Sequence, residues 1–150
     1  MRSMTPAQTS LSPAELAPRL RLAIMRLSRL LRQETQGPAT PSQTSALHSI
    51  ERLEPVTLSD LAAAERIQPP SMTRIVSALE ENGYVTREVD LSDRRYARLR
   101  LTPEGRKLLE RGRERRTAYL ASRLRKLGAE DVAALERALP LIERLIEGDA

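Results

Sequence analysis

Apolar residues recur at steps of three and four over most of this chain and at steps of two in one short region, the pattern of amphipathic helices interrupted by a hairpin. The first helix opens at Ser12-Pro13-Ala14-Glu15, a capping box with proline at the first helical position. It carries Leu16, Leu20, Ile24, Leu27 and Leu31 on one stripe and ends near Glu34. Pro18 removes the bond to the Ala14 carbonyl, which predicts a kinked or loosely attached first turn. Gln36-Gly37-Pro38 breaks the chain. A second helix, from Thr40-Pro41 to before Pro55, presents Ala46, Leu47, Ile50 and Leu53 to a core. Thr57 caps a third, with the Asp60 carboxylate at its positive end, running to about Arg66. After a tight turn at Ile67-Gln68, Pro69 opens a fourth, with Met72, Ile75, Val76 and Leu79 inward and a stop at Asn82-Gly83. Two short helices joined by a tight turn make a helix-turn-helix.

From Tyr84 the period changes to two. Tyr84, Thr86 and Glu88 alternate with Val85, Arg87 and Val89, and beyond a polar turn Leu99 and Leu101 alternate with Arg98, Arg100 and Thr102. Thr102-Pro103-Glu104 then caps a long basic helix with Leu108, Leu109, Tyr119, Leu120, Leu124 and Leu127, reaching to Gly128. A last helix from about Glu130, bent at Pro140, holds Val132, Leu135, Leu139, Ile142, Leu145 and Ile146. The expected fold class is mainly α (α+β): a winged helix-turn-helix over 40–102, and long terminal helices (12–36 with 103–150) forming a dimerisation base. Residues 1–11, rich in Ser, Thr, Pro and Gln, are expected to be a disordered tail.

Charge sharpens this picture. Lys plus Arg number 25 against 20 Asp plus Glu, which favours an anionic partner. The basic helix has nine basic residues against three glutamates from Glu104 to Lys126, whereas Glu130 to Asp149 has six acids against two arginines. A winged helix is complete by itself, so amphipathic helices before and after it need another apolar surface to cover them. A homodimer supplies it, with Leu16, Leu20, Leu135, Leu139, Ile142 and Leu145 as the expected interface; the alternative is that these helices fold back on the chain's own core.

The residues absent from the chain exclude function classes. Aromatics are three Tyr with no Phe or Trp, too few for a platform that stacks single-stranded bases. With no Cys and a single His, His48, neither thiolate chemistry nor a conventional metal site is expected. No G-x-S-x-G context supports a catalytic triad, so the reading is a non-enzyme without cofactor. No apolar run approaches a membrane span and the N-terminus has no signal-peptide core, which implies a cytoplasmic protein.

Two constellations point to duplex DNA. The fourth helix turns Pro70, Ser71, Thr73, Arg74 and Ser77 to solvent, and small hydroxyls with one Arg suit close approach to a major groove. The hairpin turn holds Asp93, Arg94 and Arg95, flanked by Arg87, Arg98 and Arg100. An Arg at a ribbon tip can enter a narrow minor groove while a neighbouring carboxylate holds it, and Asp93 with Arg95 is the expected pair.

These residues resemble the MarR family of transcriptional regulators. The resemblance runs through Leu58-Ser59-Asp60-Leu61-Ala62, Met72-Thr73-Arg74-Ile75-Val76, Leu79-Glu80-Glu81-Asn82-Gly83-Tyr84-Val85, and Asp93-x-Arg95 followed by Leu101-Thr102 and Gly105. It implies a homodimer on a pseudo-palindromic duplex site, usually a repressor near its own gene, in the cytoplasm at the nucleoid. It also implies that Arg95 goes to the minor groove braced by Asp93, with Arg94 near phosphates. Pro69-Pro70 departs from the polar residues often found at the recognition-helix tip, which shifts readout onto Ser71, Thr73 and Arg74. Many family members are released from DNA by small aromatic or lipophilic anions held between the dimer base and the winged helix. Here Met25, Arg29, His48 and Arg52, with Arg115 or Arg116, are the corresponding candidates. The alternative is a winged-helix module that binds an acidic protein partner without reading DNA sequence.

Overall fold

A computed structural model describes residues 11–34 and 37–147. The expected N-terminal tail, apart from Leu11, and Gln36 of the expected chain break lie outside the described residues. Six helices and three short strands follow in the order α1 (Pro13–Gln33), α2 (Pro41–Leu53), β1 (Val56–Thr57), α3 (Leu58–Glu65), α4 (Pro69–Glu81), β2 (Val85–Val89), β3 (Ala97–Leu101), α5 (Pro103–Leu124) and α6 (Ala129–Glu147).

Local chemistry sets the helix starts. Ser12 and Thr40 each form a complete capping box, with Glu15 and Gln43 reaching back, and Thr57 and Thr102 accept from the backbone N–H three residues on. Arg66 ends α3 in the left-handed region at φ 54°, a conformation that the turn imposes on a residue other than glycine. Gly83 ends α4 at φ 75°, where its lack of a Cβ removes the steric cost. Pro18 and Pro140 both lie inside helices that continue through them.

The sheet is antiparallel in the order β1-β3-β2, with Val56 opposite Leu99 and Val85 opposite Leu101. β1 escaped sequence reading because two residues are too short to show a period. Side chains from α2, α3, α4, the sheet and the start of α5 meet in one core, in which Leu47, Ile50, Leu61, Met72, Val76 and Leu79 are fully buried. Their combined burial is the main force holding α4 against α2 and α3. Leu53, expected in the same stripe, is 39% exposed because the last turn of α2 runs past the edge of this core. The basic helix ends at Leu124, earlier than expected, and leaves Leu127 in an exposed turn.

The terminal helices behave differently. α1 packs against α5, yet neither α1 nor α6 contains a buried residue. Leu16, Leu135, Leu139 and Leu145 stand exposed, and Leu20 and Ile142 are half-buried. No helix among the described residues is long and apolar enough to cross a membrane.

Candidate nucleic-acid interface

Burial of Met72, Val76 and Leu79 fixes the rotation of α4, so its opposite face points outward. Pro70, Ser71, Thr73 and Arg74 are exposed on that face, and Ser77 is half-buried at its edge. Pro69 and Pro70 occupy the first turn, where missing N–H groups cost nothing, and no side chain caps the helix. The N–H groups of Ser71 and Met72 donate to the Gln68 carbonyl, each at 3.0 Å. The Thr73 hydroxyl donates to the Pro69 carbonyl at 2.9 Å, which commits its proton and leaves the oxygen able to accept. Arg74 has no hydrogen-bond or ion-pair partner among the described residues, which leaves its five donors available.

The wing turn is tightly organised. The Asp90 N–H donates to the Tyr96 carbonyl at 2.9 Å, and the Tyr96 N–H to the Asp93 carbonyl at 3.1 Å. Asp90 accepts from the Ser92 N–H and hydroxyl and from Arg98 Nε, and these bonds hold its carboxyl well below the usual aspartate range. At the tip Arg95 meets Asp93 in a fork, Nε to Oδ1 at 2.9 Å and Nη2 to Oδ2 at 2.7 Å, while its own N–H also reaches Oδ1 at 3.1 Å. The arginine side chain remains 83% exposed, and its guanidinium lies 5.9 Å from the centroid of the Tyr96 ring. The expected Asp93–Arg95 pair is therefore formed, and it presents a cation without hiding it.

The flanking arginines are committed within the protein, which sequence reasoning did not detect. Arg98 pairs with Asp90 at 3.0 Å and Arg100 with Glu88 at 3.1 Å, both diagonally across the β2–β3 ladder. Arg87 donates from Nε to both oxygens of Glu80 at 2.9 Å, joining the wing to the last turn of α4. The only local hint was the acid pair Glu88 and Asp90, two residues apart and thus on one face of the strand. Arg94, like Arg74, has no such partner among the described residues.

A concavity of about 730 Å³ lies between the end of α1, the start of α2 and the middle of α5. Arg29, His48, Arg115 and Arg116 line it, together with Arg32, Thr40, Thr44 and Leu108. Met25 and Arg52 do not: Met25 sits a turn earlier on α1 with its sulfur against Arg21, and Arg52 lies a turn beyond His48 on α2. Desolvation, with Arg116 and Arg113 nearby, lowers the His48 pKa from its ordinary value, so the imidazole is neutral at pH 7. Among the described residues no group of three His, Cys, Asp or Glu side chains is placed to hold a metal.

The chain matches the MarR family model over residues 39–96. It is 38% identical to the HTH-type transcriptional regulator ML2140 of Mycobacterium leprae (strain TN) over 137 residues, 91% of this chain and 96% of that protein. A transcriptional regulator protein of Pseudomonas aeruginosa PA01 has the same architecture, with a TM-score of 0.76, 35% identity, and coverage of 91% of this chain and 96% of that one. A mutant of S. aureus MepR bound to an oligodeoxyribonucleotide shares the fold at 20% identity and a TM-score of 0.69, over 89% of this chain and 96% of its own. A helix-turn-helix with a hydroxyl-rich outer face, a wing that holds out a braced arginine, and relatives aligned nearly end to end agree: the chain belongs to the MarR family of DNA-binding transcriptional regulators, which are not enzymes.

Proposed function

We propose that the chain acts as a homodimeric repressor that reads a pseudo-palindromic duplex and is released by a small anionic ligand. The observation that carries the dimer is the bare apolar surface on both terminal helices: neither has a buried residue, and Leu139 and Leu145 are 54% and 71% exposed. Stripes of that extent require cover in water. In this reading residues 12–36 and 103–150 form the dimer base, and 40–102 the DNA-binding unit.

Two-fold symmetry then offers two recognition helices to half-sites about one helical turn apart. Ser71, Thr73, Arg74 and Ser77, with Pro70 packed beside them, meet base edges in the major groove. Arg95, held by Asp93, enters the minor groove, and Arg94 meets phosphates. Such a complex over a promoter in the nucleoid of the cytoplasm blocks transcription. The cavity of about 730 Å³ falls in the range of small-molecule sites, and its arginines with neutral His48 favour an anion with an apolar body. A ligand there releases DNA by favouring a different spacing of the recognition helices.

The test is titration of purified protein against the duplex upstream of its own gene, with random competitor, at two salt concentrations, beside sedimentation of the free protein. Tight, competitor-resistant, salt-sensitive binding by a dimer is expected. A monomer, or binding indifferent to sequence, overturns the reading. Leu139→Glu should yield monomers and abolish binding to the full site.

A further inference from the structure

We propose that Glu54 is a positioning residue for DNA binding, a two-armed strut that sets the angle of the wing from the end of α2. The β1–β3 ladder runs only from Thr57 opposite Arg98 to Val56 opposite Leu99. Continued by two residues it brings position 54 opposite Leu101. Pro55 has no N–H to extend it, and the Glu54 N–H is already bound to the Ile50 carbonyl at 2.8 Å as the helix cap. The side chain takes over the missing backbone role. Glu54 Oε2 accepts from the Leu101 N–H at 2.8 Å, and Oε1 accepts from Arg106 in the first turn of α5. The Glu54 side chain is 13% exposed and its bond to Leu101 is part-buried, whereas Arg106 on the other arm is half-exposed.

The site of this grip gives it leverage. Leu101 is the foot of the wing, and no other side-chain hydrogen bond among the described residues joins α2 or its cap to the sheet. Thr102 fastens the foot to the end of α4 through the Gly83 and Tyr84 carbonyls, the β1–β3 pairing and the Arg87–Glu80 bond hold the strands further out, and Glu54 adds the tie from the end of α2 that completes the anchors setting the tilt. A five-residue strand is about 16 Å long, so a tilt of about 8° at Leu101 moves the wing tip by about 2 Å, enough to lift a fork out of register with a narrow groove.

The inference rests on the reading that Arg95 contacts DNA, and a double-mutant cycle separates the two. Affinity is measured for a duplex selected by the wild-type protein from random-sequence DNA. Glu54→Ala should weaken binding about tenfold, and Glu54→Gln, which keeps an acceptor for Leu101, by less. In an Arg95→Ala background the Glu54 effect should nearly vanish, while in a Ser71→Ala background it should persist in full. An equal Glu54 effect with and without Arg95, or no effect at all, overturns the proposal, since a purely structural role is additive. If Glu54→Ala does not fold, Glu54→Gln and Arg106→Ala carry the same cycle. Arg95→Ala by itself having no effect removes the wing from DNA binding, and this proposal with it, through a different measurement.

Discussion

The Cα of Gly105 lies beneath the Tyr84 carbonyl so closely that a Cβ there would stand 2.2 Å from the oxygen. The first turn of α5 is thus pressed against the residue that begins the wing, and the Thr102 N–H bonds to the same carbonyl at 3.0 Å. Backbone cannot yield as a side-chain tip can, so Gly105→Ala should lower unfolding stability by about 1–3 kcal/mol. Urea unfolding followed by circular dichroism checks this; an unchanged midpoint would mean the helix slides freely on the sheet.

Arg74 and Arg94 are both unpaired among the described residues but project from different elements. Arg94→Ala, which removes one phosphate contact from each protomer of the dimer, should reduce the slope of log affinity against log salt by about 1.8 while preserving sequence preference. Arg74→Ala should narrow the gap between operator and random duplex, by roughly ten- to a hundredfold. Competition titrations at several salt concentrations separate these outcomes, and identical behaviour of the two variants would contradict the assignment of one to phosphates and one to bases.

The side-chain bond from Arg95, with that from the Arg95 N–H, lowers the Asp93 pKa from its ordinary 3.8. A depressed carboxylate contributes its interaction above the unfolded value and loses it only as pH falls through the folded one. The fork should therefore hold at every pH above about 4. Asp93→Asn should weaken operator binding several-fold across that whole range with little change in melting temperature, because the turn is also held by Asp90. A variant that binds like wild type would show that Arg95 needs no brace.

His48 is lowered as well, but through burial and not through a bond to its charged form. Its folded pKa lies below 6.5, chiefly through desolvation, so the folded state takes up its proton less readily than the unfolded chain. Its contribution to stability is complete above about 6.5 and falls away as pH drops through the lowered folded value. His48→Gln should flatten the pH dependence of the melting temperature over that window. An anion in the adjoining cavity should raise the His48 pKa, visible as a shift in the imidazole NMR titration; no shift with an anion that releases DNA would locate the ligand elsewhere.

Much of this was legible in the residue order. Caps at Ser12, Thr40, Thr57 and Thr102 announced four helix starts, since each bond is made within three residues of chain. The change to period two at Tyr84 revealed the hairpin, and the acid two residues before Arg95 revealed the fork, for the same reason of short range. Contacts that cross the chain were not legible: Glu54 to Leu101 and Arg106, Arg87 to Glu80, and Ser49 to Glu65 join residues whose proximity no local pattern encodes. Those contacts decided which arginines are committed inside and which face out. The sequence by itself determined which stretches become helix or strand and which faces are apolar, because propensity, capping and periodicity act over a few residues. Only the tertiary structure decided the angle at which wing and recognition helix are presented, because that angle depends on where the core brings distant carboxylates and amides together.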